Sequence, residues 1–151
     1  MIGYPKWFSK NLIHSIFFLS FVTGALLFPT ILVLKLEWNF PWRLPTEQRD
    51  WIVILHVVLG FTVFTVLGAL SSVHVRLGFR KKAKRVSGVA LMSFIVGLGM
   101  TGMGILYLGD EKLSTYASVV HFSIGTLLTL SYVIHMLTKV ESKKTTRSLR
   151  Q

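Results

Sequence analysis

The sequence predicts an all-α integral membrane protein, one domain over 1–151 built as an up-down-up-down bundle of four helices. Three observations carry this. The 151 residues are 52% hydrophobic, with a positive mean hydropathy of +0.59. Four separate stretches reach the roughly 20 apolar residues that a helix needs to cross a hydrocarbon core of about 30 Å. Strongly basic segments alternate along the chain with connections that hold nearly all of the acids, the pattern of a chain that crosses a membrane repeatedly.

The first helix is expected over about Leu12 to Leu34. Lys6 and Lys10 precede it and the small residues Thr23-Gly24-Ala25 lie within it, which superficially matches a cleaved leader. The apolar run is too long for a leader core and continues past the small residues, so the segment is read as a retained helix. The second helix is expected over about Trp51 to Val73, the third over Val86 to Leu108 and the fourth over Ser114 to Leu137. Little chain is left over for a soluble domain. No internal repeat and no low-complexity segment is evident.

Charge sets the orientation. The N-terminal segment, the connection containing Arg80, Lys81, Lys82, Lys84 and Arg85, and the tail carry most of the 17 basic residues, while the other two connections carry most of the 6 acids. Under the positive-inside rule both termini and the basic connection face the cytoplasm, which for this topology is that of a bacterial or archaeal inner membrane. The net charge of +11 is explained by that sidedness, so nucleic acid is not an expected partner, and weak attraction to anionic lipid is the natural by-product. The absence of cysteine excludes covalently attached c-type haem, thiolate-held iron-sulfur clusters and structural disulfides. Any metal centre must be held by other donors, and histidine is the available one.

Four of the five histidines fall at matching depths. His56 lies about five residues into the second helix from the outer surface and His121 about seven into the fourth, roughly 8 and 10 Å deep at 1.5 Å per residue. His14 and His135 lie near the inner ends of the first and fourth helices. The spacing from His121 to His135 puts both on one helix face, within roughly 40° and about 21 Å apart along the axis. Two level-matched pairs, His56 with His121 and His14 with His135, are what two stacked b-type haems require as axial ligands. Inert packing, a single haem and a proton relay are the competing readings. Gly60 and Gly125 each follow an outer histidine by one turn and would let a flat macrocycle lie there. Lys10 and Arg76 are candidates for the inner haem's propionates, and Arg49 or Trp51 for the outer ones, although all four are also ordinary boundary residues. His74 sits at the inner boundary and is read mainly as a solvated residue, with a hydrogen bond to an inner propionate or a quinone as its functional alternative.

The remaining features are read both ways. Gly97, Gly99, Gly102 and Gly104 on the third helix suit close helix packing or a porphyrin-facing surface. Ser118 and Ser131 have the spacing to bond the nearby ligand histidines, or simply to bond back to their own helix. Trp38, Pro41, Trp42, Pro45, Tyr107, Asp110 and Glu111 form an interfacial belt or, alternatively, a docking surface.

The stretch Ile54-Leu55-His56-Val57-Val58-Leu59-Gly60, the early His14, and the His121 to His135 spacing resemble the di-haem cytochrome b subunits of membrane formate dehydrogenases and nickel-iron hydrogenases. The resemblance extends over all four helices. It implies that His56 and His121 ligate an outer haem and His14 and His135 an inner one, with electrons exchanged between an iron-sulfur or cytochrome subunit at the outer face and the quinone pool near the inner haem. The formate dehydrogenase branch has an Asn shortly before a Gly ahead of the third helix, whereas this chain reads Lys81-Lys82-Ala83-Lys84-Arg85-Val86-Ser87-Gly88. The chain also carries no catalytic constellation of its own, so it is expected to serve as an electron-transfer subunit of an oxidoreductase complex. A stand-alone quinone-linked cytochrome b and a haem-free anchor or proton-relay subunit are the alternatives.

Overall fold

The computed structural model describes residues 9–71 and 85–148, with side chains described except at Lys10, Arg85 and 138–148. His74, Arg76 and the basic run Arg80 to Lys84 lie outside the described residues, and so does the side chain of Lys10. Four helices follow one another: α1 Lys10–Leu34, α2 Thr46–Leu70, α3 Arg85–Tyr107 and α4 Glu111–Ser148. All four contain a window long and apolar enough to cross a membrane, and no strand occurs among the described residues. The protein is an all-helical, multi-pass membrane protein.

Each helix is bounded by recognisable chemistry. The Ser9 hydroxyl caps α1 by accepting from the Leu12 N–H at 3.2 Å. Pro29 sits buried inside α1 and supplies no amide to the helix ladder. α1 ends in a tight turn with Glu37 in the left-handed region at φ 54°. α2 starts at Thr46, earlier than the expected Trp51, because its first turns are polar and stand outside the apolar run; Glu47 there suits the positive end of the helix. Asp110 caps α4, its carboxylate accepting from the Leu113 N–H at 2.8 Å. α4 also continues well past Leu137 as a basic extension that an apolar window cannot detect.

The helices associate as two hairpins. Contacts are extensive between α1 and α2 and between α3 and α4, while α1 touches α4 and α2 touches α3 only sparingly. Short links at 35–45 and 108–110 define a connection end of the bundle; the start of α1 and the late part of α4 define a terminal end. At the connection end Lys35 Nζ donates to the Ser114 hydroxyl at 2.6 Å and to its carbonyl at 3.2 Å, tying one hairpin to the other. Partial burial pushes the Lys35 ammonium below its ordinary pKa, and the Glu111 carboxylate opposes that shift.

Midway along the bundle Ile16, Val63, Val66, Ile95 and Leu128 form an apolar core drawn from all four helices. Outside it the surface is apolar: Phe18 is 65% exposed, Phe61 71% and Met100 67%. Such a surface is expelled by water and costs nothing in hydrocarbon. Trp38, Trp42, Trp51 and Tyr107 are all exposed and all stand at the connection end, where an aromatic belt at a membrane boundary belongs.

Candidate functional site

His56 and His121 each stand ten residues after the first residue of their helix, on the second helix of each hairpin. The level match expected from the sequence therefore holds, and the two rings meet across the gap between the hairpins. Their centroids are 6.2 Å apart and their planes are inclined at 75°. Two imidazoles bound from opposite sides at about 2.0 Å to one metal ion would have ring centres about 6 Å apart.

Each ring is fixed by the first helix of its own hairpin. Thr23 Oγ1 is 2.8 Å from His56 Nδ1, and Thr101 Oγ1 is 3.0 Å from His121 Nδ1. Both hydroxyls spend their single proton on their own helix: Thr23 on the Leu19 carbonyl at 2.9 Å, Thr101 on the Gly97 carbonyl at 2.8 Å. Each hydroxyl can then only accept from the imidazole. The Ser20 carbonyl also faces His56 and the Leu98 carbonyl faces His121, and a carbonyl accepts but never donates. With the hydroxyl protons on the helix carbonyls, the network favours the Nδ1–H tautomer of both rings, which leaves the lone pair on Nε2.

The residue after each threonine is glycine. A Cβ added at Gly24 would stand 3.1 Å from His56 Cε1, and one at Gly102 would stand 3.5 Å from His121 Cε1. Thr-Gly on the leading helix against His on the following one is thus a unit that occurs twice. The sequence hid it because the partners are 33 residues apart in the first hairpin and 20 in the second.

At the terminal end the same chemistry recurs with other hydroxyls. Ser87 Oγ is 3.0 Å from His135 Nδ1. His14 Nδ1 is hydrogen-bonded to the Tyr132 hydroxyl, with the two rings edge-on at 5.9 Å, and Phe17 stacks on Tyr132 at 5.0 Å. The structure brings His56 and His121 ring to ring. For His14 and His135 the described link is Tyr132, one turn before His135 on α4. Leu128, in the apolar core, lies midway between His121 and His135 and separates the two levels.

Other sequence candidates resolve as follows. A Cβ at Gly60 would meet nothing within 4 Å, and one at Gly125 would meet only Leu98, at 3.8 Å. Of the glycines on α3, Gly97 packs on Ile124, Gly99 on Phe64 and Gly104 on Ala117; Gly102 alone faces a histidine. The Ser118 hydroxyl bonds back to the Ser114 carbonyl at 2.8 Å, and Ser131 is half-buried on α4. Arg49 pairs with its neighbour Asp50 at 2.9 Å, and Trp51 is 72% exposed. The hydroxyls that touch the histidines thus come from Thr23, Thr101, Ser87 and Tyr132, on helices other than those of the histidines they serve.

Among the described residues no three His, Asp or Glu converge as ligands for a bare metal ion. What the site offers is two neighbouring imidazoles on separate helices. Comparison with known proteins finds no matching family model, no similar curated protein and no similar solved structure.

Proposed function

We propose that the protein is a di-haem b electron-transfer subunit of a membrane oxidoreductase complex, with His56 and His121 as axial ligands of one haem and His14 and His135 of the other. The observation that carries this reading is the opposed His56 and His121 pair, at 6.2 Å between rings, with Nδ1 of both held by threonine. When bound, haem iron supplies a one-electron redox couple. What the chain contributes is rigid placement. Thr23 and Thr101 hold the two rings in the tautomer that leaves Nε2 for the metal, Gly24 and Gly102 admit the rings against the helix backbones, and the space beside Gly60 is open. The apolar layer around Leu128 excludes water between the two levels and keeps the local dielectric low.

In this reading the connection end faces outward and the terminal end faces the cytoplasm of a bacterial or archaeal cell, as the basic segments dictate. A partner redox subunit, iron-sulfur or cytochrome, meets the outer face beside the exposed Trp38, Trp42 and Tyr107, and quinone exchanges electrons near the inner pair.

The test is pairwise. Protein purified in mild detergent should show a Soret band and two b-type haems per chain. His56→Leu and His121→Leu should remove the same spectral species and leave the other, and His14→Leu and His135→Leu should remove the second. Loss of one species by both His121→Leu and His14→Leu would refute the pairing; the absence of any Soret band after reconstitution with haem would refute the function.

A further inference from the structure

The two halves of the His56 and His121 site are alike in more than their histidines. Thr23, Gly24, His56 and Gly60 in the first hairpin correspond in order to Thr101, Gly102, His121 and Gly125 in the second, with the same residue type at each position. Their contacts correspond too. Thr23 Oγ1 stands 2.8 Å from His56 Nδ1 and Thr101 Oγ1 stands 3.0 Å from His121 Nδ1, while each hydroxyl donates to the carbonyl four residues back on its own helix, at 2.9 and 2.8 Å. A second carbonyl, three residues before each threonine, faces the same ring: that of Ser20 for His56 and that of Leu98 for His121.

The connectivity relates these halves by a simple operation. α1 and α3 both end at the connection end, and α2 and α4 both start there, so a half-turn about the bundle axis carries one hairpin onto the other. That half-turn exchanges His56 with His121. It follows that a ligand with a given face on His56 is carried into one with the same face on His121, in closely matching surroundings.

For haem this matters, because the order of vinyl and methyl groups around the ring makes its two faces different. A tenfold preference for one orientation would need about 1.4 kcal/mol of difference between the two sides of the site. The differences present are small. A Cβ at Gly125 would touch Leu98 at an ordinary 3.8 Å whereas one at Gly60 would meet nothing, and His56 approaches Gly24 somewhat more closely than His121 approaches Gly102. Donor, tautomer and hydroxyl partner are the same on both sides.

We infer that the His56 and His121 site does not discriminate between the two faces of its porphyrin and holds haem in both face orientations in comparable amounts, an inference that rests on the haem reading above. The test uses the full chain in detergent, as His14→Leu so that only this haem is retained, loaded either with haem or with iron protoporphyrin III, whose two faces are equivalent. Orientation is read from the ring-methyl proton signals of the oxidised haem, which the iron shifts clear of the protein. Haem should give two sets of signals with populations within about threefold of one another. Iron protoporphyrin III should give one set. A methyl added to one side alone breaks the match, so Gly60→Ala and Gly125→Ala should skew the two populations in opposite directions, and the double variant should bring them back toward parity.

A single set of signals from haem, or a preference beyond about tenfold, overturns the inference while leaving the haem reading in place. So does a skew in the same direction in Gly60→Ala and Gly125→Ala, because the isomers would then not arise from the paired faces. If no Soret band develops with either porphyrin in His14→Leu or in the wild type, the haem reading itself has failed and this inference falls with it.

Discussion

Every one of the four paired histidines has Nδ1 on a hydroxyl: His14 on Tyr132, His56 on Thr23, His121 on Thr101 and His135 on Ser87. The histidines were legible in the sequence because their depths can be counted along single helices. Their partners were not, because each lies on a different helix and no spacing rule within one helix reaches it; Ser118, chosen by such a rule, bonds its own backbone instead. The hydroxyls have a chemical consequence. A Nδ1–H that donates to an acceptor makes Nε2 a stronger electron donor and favours oxidised iron. Thr23→Val removes the acceptor while keeping the side-chain shape, so the potential of the species lost in His56→Leu should rise by on the order of 20–60 mV, with Thr23→Ser close to the wild type, as read by a redox titration followed at the haem α-band. A purely structural role for Thr23 would leave that potential in place. The glycines beside these threonines give a second, asymmetric expectation. At Gly24 a new methyl would crowd His56 at 3.1 Å, whereas at Gly102 it would meet His121 at an ordinary 3.5 Å. Gly24→Ala should therefore displace the ring and lower haem occupancy at this site, and Gly102→Ala should leave occupancy near the wild type, both measured as pyridine haemochrome per protein.

At the scale of the helices, apolar length located all four spans, but polar first turns and the basic extension fell outside its reach, so α2 begins before and α4 ends well beyond the apolar windows. The glycine row on α3 shows the same limit. Its spacing fits packing and a cofactor surface equally well, and only the neighbours decide: Gly97, Gly99 and Gly104 pack on apolar side chains and Gly102 on His121. Gly99 is the tightest of them. A Cβ there would overlap the Phe64 ring, at one of the few places where α2 and α3 touch. Gly99→Ala should thus force Phe64 aside and destabilise the bundle by about 1–3 kcal/mol, measured by thermal unfolding in detergent. Adding Phe64→Leu should recover part of the loss. An unchanged melting temperature in Gly99→Ala would show that the hairpins are not held at this contact.

For the molecule as a whole, the division into hairpins explains why the candidate site lies where it does. Contacts within α1–α2 and within α3–α4 are extensive and those between the hairpins are fewer; among the described residues the halves are joined by Phe28 stacked on Phe122 at 3.9 Å, Phe17 and His14 on Tyr132, Phe64 on Gly99, the Lys35 bridge and the central core. Each half presents one histidine to the gap, already oriented by its own Thr-Gly pair. A ligand bound by both imidazoles would be a further tie between the halves, and its binding free energy would add to the stability of the assembled bundle. At a free ligand concentration of about 100 times Kd this amounts to about 2.7 kcal/mol. Loading with haem should accordingly raise the melting temperature by several degrees, with the rise shrinking in His56→Leu and in His121→Leu to what the other haem supplies. Each single replacement also removes one hydrogen bond within its own hairpin, so the two variants should lose a similar amount of stability in the apo form, and the test is the size of the haem-dependent rise above each variant's own apo value. Equal stabilisation of wild type and His121→Leu by haem would mean that the ligand binds within one hairpin, and the pair at 6.2 Å would then owe its geometry to helix packing alone.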